Sequence, residues 1–341
     1  MSDSRTSNQK SSQRPVECPL GLGLAALGRP GYINLGHVQD LNADYEVASM
    51  RRRAHEVLDC AWQAGIRYFD AARSYGKAEE FLATWLNDRA IDPADVTIAS
   101  KWGYTYTADW QVTVADDQAH EVKQHSIERL DQQYPLSREQ FGPQLDLYQI
   151  HSATLESGVL TNDRVLDRLA ELRDHGLKIG LSVSGPGQAT VIRKAFECQR
   201  SGEDVFSAVQ ATWNLFEPSA GVALKEASER GWRVIVKEGV ANGRLTDRNL
   251  DPDFVSKRPL LQSIADRLSV TIDAVALAVI LIQPWSNVVL SGAAEGEHLL
   301  SNVKAVEVAK QLGSGVADSL IESLSVPAAE YWAKRSALAW N

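Results

Sequence analysis

A tyrosine can hand its proton to a carbonyl oxygen when its surroundings make the phenolate affordable. Four residues have the types for that chemistry: Asp70, Tyr75, Lys101 and His151. Lys101 beside Asp70 would form a pair that tolerates partial burial. The same ammonium would pull a nearby phenol below its ordinary pKa of ~10. Tyr75 follows closely on Asp70, so it is the phenol expected there. His151 would hydrogen-bond the substrate oxygen and orient it. No side chain supplies a hydride, so carbonyl reduction by this set implies a nicotinamide cofactor.

These residues sit where strands are expected to end. Eight β-rich runs are predicted at 20–27, 66–70, 96–100, 146–150, 179–183, 208–212, 233–237 and 288–291. Between them lie helices with one apolar stripe. One such stripe (Val57, Leu58, Ala61, Trp62) runs up to Gly65, another (Val165, Leu166, Leu169, Leu172) to Gly176, and a third (Val222, Ala223, Ala227) to Gly231. A glycine ends a helix cheaply in the left-handed conformation. Asn162 and Ser219 are the expected N-caps. Strands alternating with helices imply parallel pairing, and eight such units predict a (β/α)8 TIM barrel in a single domain. An open doubly wound sheet is the competitor, but the stretch Gly21-Leu22-Gly23-Leu24-Ala25-Ala26 is not a G-x-G-x-x-G turn. The strand ends carry Asp70, Lys101, His151, Ser182, Gln210, Asn214, Lys237 and Glu238. Any one of them is as readily a structural pair. A whole ring of them at one end points to a site, because unpaired buried charges cost several kcal/mol. Residues 104–120 are expected to loop over the barrel mouth, and the chain after 306 reads as a helical extension.

Composition narrows the partners. The chain has 341 residues, is 44% hydrophobic and 23% charged, and carries a formal charge of -9. That field disfavours nucleic acid and anionic membranes, leaving a small molecule as the expected partner. No apolar run approaches the ~18 residues of a membrane span. Residues 1–14 are polar and read as a disordered tail, with 15–341 as the barrel domain. Cys18, Cys60 and Cys198 are too few and too scattered for a disulfide framework, which suits a thiol-reducing cytoplasm. His120 and His125 lack a third ligand at a metal spacing, so no metal is expected. Tyr32, Trp102, Tyr104, Trp110 and Trp213 cluster near the predicted mouth. As pocket walls their flat faces would suit sugars, although some of them would serve as core.

The segments carrying these residues resemble the aldo-keto reductase family over roughly 20–306. "GIRYFDAARSYGKAEEFLATWL" resembles the family segment bearing its catalytic Asp and Tyr, here Asp70 and Tyr75. "TIASKWG" and "LDLYQIHS" are similar to those bearing its Lys and His, here Lys101 and His151. The resemblance implies reversible NAD(P)H-dependent reduction of aldehydes, ketones or sugar lactols. It also implies that Ser182 and Gln210 hold the nicotinamide carboxamide. Gly292, Glu295 and His298 would lie near the adenosine phosphates, and Asn302 near the adenine. In "VIVKEGVANGRL", Lys237 replaces the family's stacking aromatic, and Gly243 would join the cofactor site. The interval from Lys101 to His151 is long for the family, consistent with an inserted loop. NADP is the family default, yet 291–302 contains Glu295 and Glu297 and no Arg or Lys. NAD is therefore expected to be accepted. Two other classes stay open: a Schiff-base lyase using Lys101 or Lys237, and a catalytically weak cofactor-sensing regulatory barrel.

Overall fold

A computed structural model describes residues 18–115 and 117–341. The tail expected at 1–14 lies outside the described residues. Eight parallel strands close into a barrel: β1 (Leu20–Gly23), β2 (Tyr68–Asp70), β3 (Thr97–Trp102), β4 (Leu145–Ala153), β5 (Lys178–Val183), β6 (Ala208–Thr212), β7 (Arg233–Lys237) and β8 (Val288–Ser291). Each pairs with its sequence neighbours, and β8 returns to β1 through Leu20 opposite Val289. The crossovers are helical: α1 (Val47–Gln63), α2 (Ala78–Asp88), α3 (Ile127–Phe141), α4 (Asp163–Asp174), α5 (Gln188–Ala195), α6 (Gly221–Glu229), then α7 (Pro252–Leu268) and α8 (Ile272–Leu281). After β8 come α9 (Gly296–Val303), α10 (Ala305–Gln311), α11 (Ser314–Leu324) and α12 (Ala328–Ser336). No helix among the described residues is long and apolar enough to cross a membrane.

Period-two alternation organises the barrel interior. Tyr68, Ala99, Leu147, Ala208, Ile235, Val288 and Leu290 form an apolar cluster of their own, separate from the larger one. Gly21 makes room for it: a Cβ there would come within 3.0 Å of Leu290, Tyr68 and Val288. Two residues further along the same faces stand Asp70, Lys101, Gln149, Gln210 and Lys237. One strand step thus converts an oily plug into a polar floor at the C-terminal end of the barrel. Intervening residues such as Phe69, Ile98, Leu181, Val209, Val236 and Val289 belong to the larger core that includes the helices.

Gly65, Gly176 and Gly231 follow α1, α4 and α6 with φ of 85°, 92° and 82°, as the stripes predict. Asn162 caps α4 by accepting the Val165 N–H at 3.3 Å. Ser219 does not cap α6. Its hydroxyl donates to Glu217 at 2.5 Å, and Ala220 takes the N-cap position. The first strand is shorter than its apolar run: the N–H groups of Leu27 and Gly28 both turn back to the Leu24 carbonyl. The insertion after β3 is a small antiparallel hairpin, Tyr104–Tyr106 with Glu121–Lys123. The C-terminal extension folds back onto the mouth. Asn341 and Tyr32 exchange two backbone hydrogen bonds, at 3.0 and 3.1 Å, and the Trp340 ring stacks on His120 with centroids 4.0 Å apart.

Candidate active site

The floor of the site is a buried ion pair. Lys101 is fully buried and donates to Asp70 and, at 3.0 Å, to the Ala71 carbonyl. The other Asp70 oxygen accepts amide N–H groups from Gln210 at 2.9 Å and Gln149 at 3.3 Å. A buried pair survives only when its remaining valences are met, and these two amides meet them. Gln149 is absent from the expected site residues. Its signal is the alternation Leu147, Gln149, His151 on one face of β4. Its Oε1 atom is buried without a partner.

Tyr75 lies above this floor, on the turn after β2. The Lys101 ammonium is 5.0 Å from the centre of its ring, and its hydroxyl lies 3.5 Å from Nε2 of His151. The expected electrostatics are corrected here. Burial first, then the Asp70 carboxylate, push the Tyr75 phenol well above its ordinary pKa. The physical reason is desolvation of the buried phenol, to which the Asp70 carboxylate adds, while Lys101 is ion-paired with that carboxylate. Tyr75 is held protonated. His151 is driven well below its usual value by burial, then by Lys101, Arg29 and Lys237, so it is held neutral. The Tyr104 ring packs 4.8 Å from that imidazole, and His125 hydrogen-bonds the His151 carbonyl at 2.8 Å.

A cavity of about 720 Å³ runs from Asp70, Tyr75 and His151 across the mouth to 290–302. Tyr32, Gln210, Lys237, Gly243, Gly292, His298 and Asn302 line it. Ser182 does not line it: its hydroxyl accepts the Ser152 N–H at 2.8 Å, and Ser152, at φ 51°, takes the wall position. Glu297 lines the cavity, whereas Glu295 sits behind it as the α9 N-cap. Four aromatics leave the expected wall. Tyr104 packs against His151 and His125 instead of lining the cavity. Trp102 follows inward-facing Lys101 and Trp213 follows Thr212, so strand parity turns both rings outward into the core. Trp110 packs on Phe81 and donates to the Tyr45 carbonyl at 2.6 Å.

Lys237 does not extend its head into water. The ammonium donates to Thr212 at 2.7 Å and lies 3.7 Å from Glu238, and burial lowers its pKa to about 8. Burial opposes ionisation of Glu238 as well, but Arg335 and Lys237 hold that carboxyl at about 2. Arg335 of α12 reaches Glu238 at 2.7 Å, which pins the C-terminal helix to the rim. Two further cations escaped sequence reasoning. Arg29 lies against Tyr75. Arg248 lies at the far end, paired with Asp40 at 2.6 Å and 3.3 Å from His298.

The far end suits a phosphate-bearing cofactor. A Cβ at Gly292 would meet nothing within 4 Å, so backbone there is open to close approach. Helix α9 starts without a side-chain cap, leaving its first N–H groups for an anion. Asn302 is held in place by Ser291 and Asp273, both at 2.7 Å.

The Aldo/keto reductase family model matches residues 19–314. "Aldo-keto reductase str7" of Strobilurus tenacellus is 24% identical over 312 residues, covering 84% of this chain and 82% of that protein. Among solved structures, aldo-keto reductase AKR11C1 from Bacillus halodurans in its holo form superposes with a TM-score of 0.65 at 22% identity. That likeness covers 91% of this chain and 93% of that one, and it carries the fold. The chain belongs to the aldo/keto reductase family, and is in general terms an NAD(P)H-dependent carbonyl oxidoreductase.

Proposed function

We propose that this aldo/keto reductase interconverts an aldehyde, ketone or sugar lactol with the corresponding alcohol, with Tyr75 as the proton donor in reduction. One observation carries the reading: the protonated Tyr75 hydroxyl and the neutral His151 Nε2 stand 3.5 Å apart at the cavity wall. Two hydrogen-bond donors at that separation can both reach one carbonyl oxygen. His151 orients it and Tyr75 releases its proton to it as negative charge develops. The Asp70–Lys101 pair positions the floor beneath. A nicotinamide supplies the hydride when bound. Gln210, Lys237 and Gly243 would hold it at the near end, and Gly292, His298 and Asn302 at the far end.

Either cofactor fits this arrangement. No Arg or Lys occurs in 291–302, and Arg248 is already engaged by Asp40, so NAD is accepted while NADP remains the family default. Sugars are the favoured substrates, on Tyr32 and the polar wall. The unpaired cysteines Cys18, Cys60 and Cys198 suit a cytoplasmic setting. A panel of glyceraldehyde, 4-nitrobenzaldehyde and free aldoses, followed by nicotinamide absorbance with both cofactors, tests the activity. Tyr75→Phe is expected to lower kcat by about 10² with little change in cofactor Kd. A variant retaining most of the wild-type kcat would end the assignment. Lys237, with its pKa lowered to about 8, is the one feature favouring an amine nucleophile. Borohydride trapping of a covalent adduct without nicotinamide would establish that lyase reading instead.

A further inference from the structure

Arg29 is not part of the tetrad, yet it is built into the turn that carries Tyr75. It stands on the loop after β1 and is 2% exposed. Its Nη1 donates to the carbonyl of Ser74, the residue before Tyr75, at 3.0 Å, and to Glu121 of the hairpin at 2.8 Å. The guanidinium lies 5.4 Å from the ring centres of both Tyr75 and Tyr32, and 4.8 Å from that of Trp340. The two loops are locked together beside it. Lys77 N–H donates to the Gly28 carbonyl at 2.7 Å, and a Cβ on Gly28 would collide with the Tyr75 carbonyl at 2.2 Å. Four separate segments thus converge on one cation: the β1 loop, the Tyr75 turn, the hairpin and the C-terminal residues.

We propose that Arg29 is the positioning residue for Tyr75: it fixes the turn that carries the phenol and supplies the positive charge that eases release of its proton. The inference rests on Tyr75 being the proton donor. The groups facing the phenol divide clearly. Asp70 on β2 opposes ionisation, and its partner Lys101 on β3 is consumed by it. Glu121 on the hairpin and Glu238 after β7 also oppose ionisation, whereas Arg29 favours it. His151 on β4 is neutral, Tyr32 is an uncharged phenol, and Lys237 and Arg335 are engaged by Glu238. Arg29 is therefore the cation whose charge bears on Tyr75, and Glu121 attenuates it.

That division gives opposite signs for two substitutions. In alcohol oxidation Tyr75 must act as the base, so the rate climbs with pH as the phenolate fraction grows. Arg29→Met raises the phenol pKa and displaces this rising limb to higher pH by about one unit, a ~10-fold lower rate at fixed pH. Glu121→Gln removes the attenuating charge and displaces the limb to lower pH. Arg29→Lys keeps the charge and leaves the limb near the wild-type position. The assay uses the alcohol or aldose corresponding to the fastest carbonyl of the panel, and cofactor Kd is measured by fluorescence quenching. Opposed shifts with little change in Kd are expected. Shifts of the same sign, or lowered rates with no displacement, would reduce Arg29 to a structural strut and overturn the proposal. If Arg29→Met fails to fold, Glu121→Gln and Arg29→Lys still decide it. Should Tyr75→Phe leave the limb intact, the proton-donor reading itself has failed, which is a distinguishable result.

Discussion

The two ends of the cavity are built on opposite principles. At the Tyr75 end Asp70, Lys101, His151 and Arg29 are buried. Charges there are met by fixed partners, and titrations are displaced far from solution values: the phenol upward, His151 downward. At the far end Arg248, Asp40 and His298 form a looser cluster, with the Arg248 side chain 38% and that of His298 39% exposed. The contrast teaches where specific chemistry can be held. Burial makes each charge at the deep end dependent on its neighbours, whereas solvent at the far end lets charges be exchanged at little cost.

The largest break in this contrast should come from the floor. Lys101→Met strands Asp70 as an unpaired buried charge, and about 3–5 kcal/mol of stability should vanish in urea unfolding. A loss below ~1 kcal/mol would mean that the pair behaves as an exposed one.

Acid probes the same end more gently. His151 is held neutral when folded and has a pKa near ~6.5 when unfolded, so the unfolded chain takes up more protons as pH falls. Its contribution to stability is complete above pH ~6.5 and is lost below it, by ~2 kcal/mol at pH ~5. The wild type should weaken between pH 7.5 and 5, and His151→Gln should weaken by about that much less. Identical pH slopes for the two proteins would contradict the sealed-histidine picture.

The smallest effect belongs to the far end. Arg248→Ala should cost under ~1 kcal/mol of stability, because the ion pair it removes is partly solvated. If stability instead falls as far as in Lys101→Met, the two ends are not different in kind.

Much of this was readable in the chain, for a definite reason. Strand periodicity acts locally, so β6, β7 and β8 have the bounds expected from their residues, and Asp70, Lys101 and His151 land together at one end. Gln149 obeys the same rule, two positions before His151, and could have been found by it. Trp102 and Trp213 were misplaced because aromatic character was read without parity: each adjoins an inward-facing residue and so must face out. Ser182 lost its wall position to Ser152 at an irregularity in β4 pairing, which no local pattern announces. Arg29 and Trp340 lie far beyond the reach of periodicity. They meet only because the chain end returns to the first loop.

The pairing of β1 with β8 has a consequence for synthesis. One side of Leu20–Gly23 can pair once β2 is made, but the other waits for Val288–Ser291. At roughly 5–20 residues per second that wait lasts on the order of tens of seconds. Throughout it the nascent chain carries an open edge strand, the kind of surface on which chains associate wrongly. Closure of the barrel is therefore a late step, made when Val288–Ser291 reaches Leu20–Gly23.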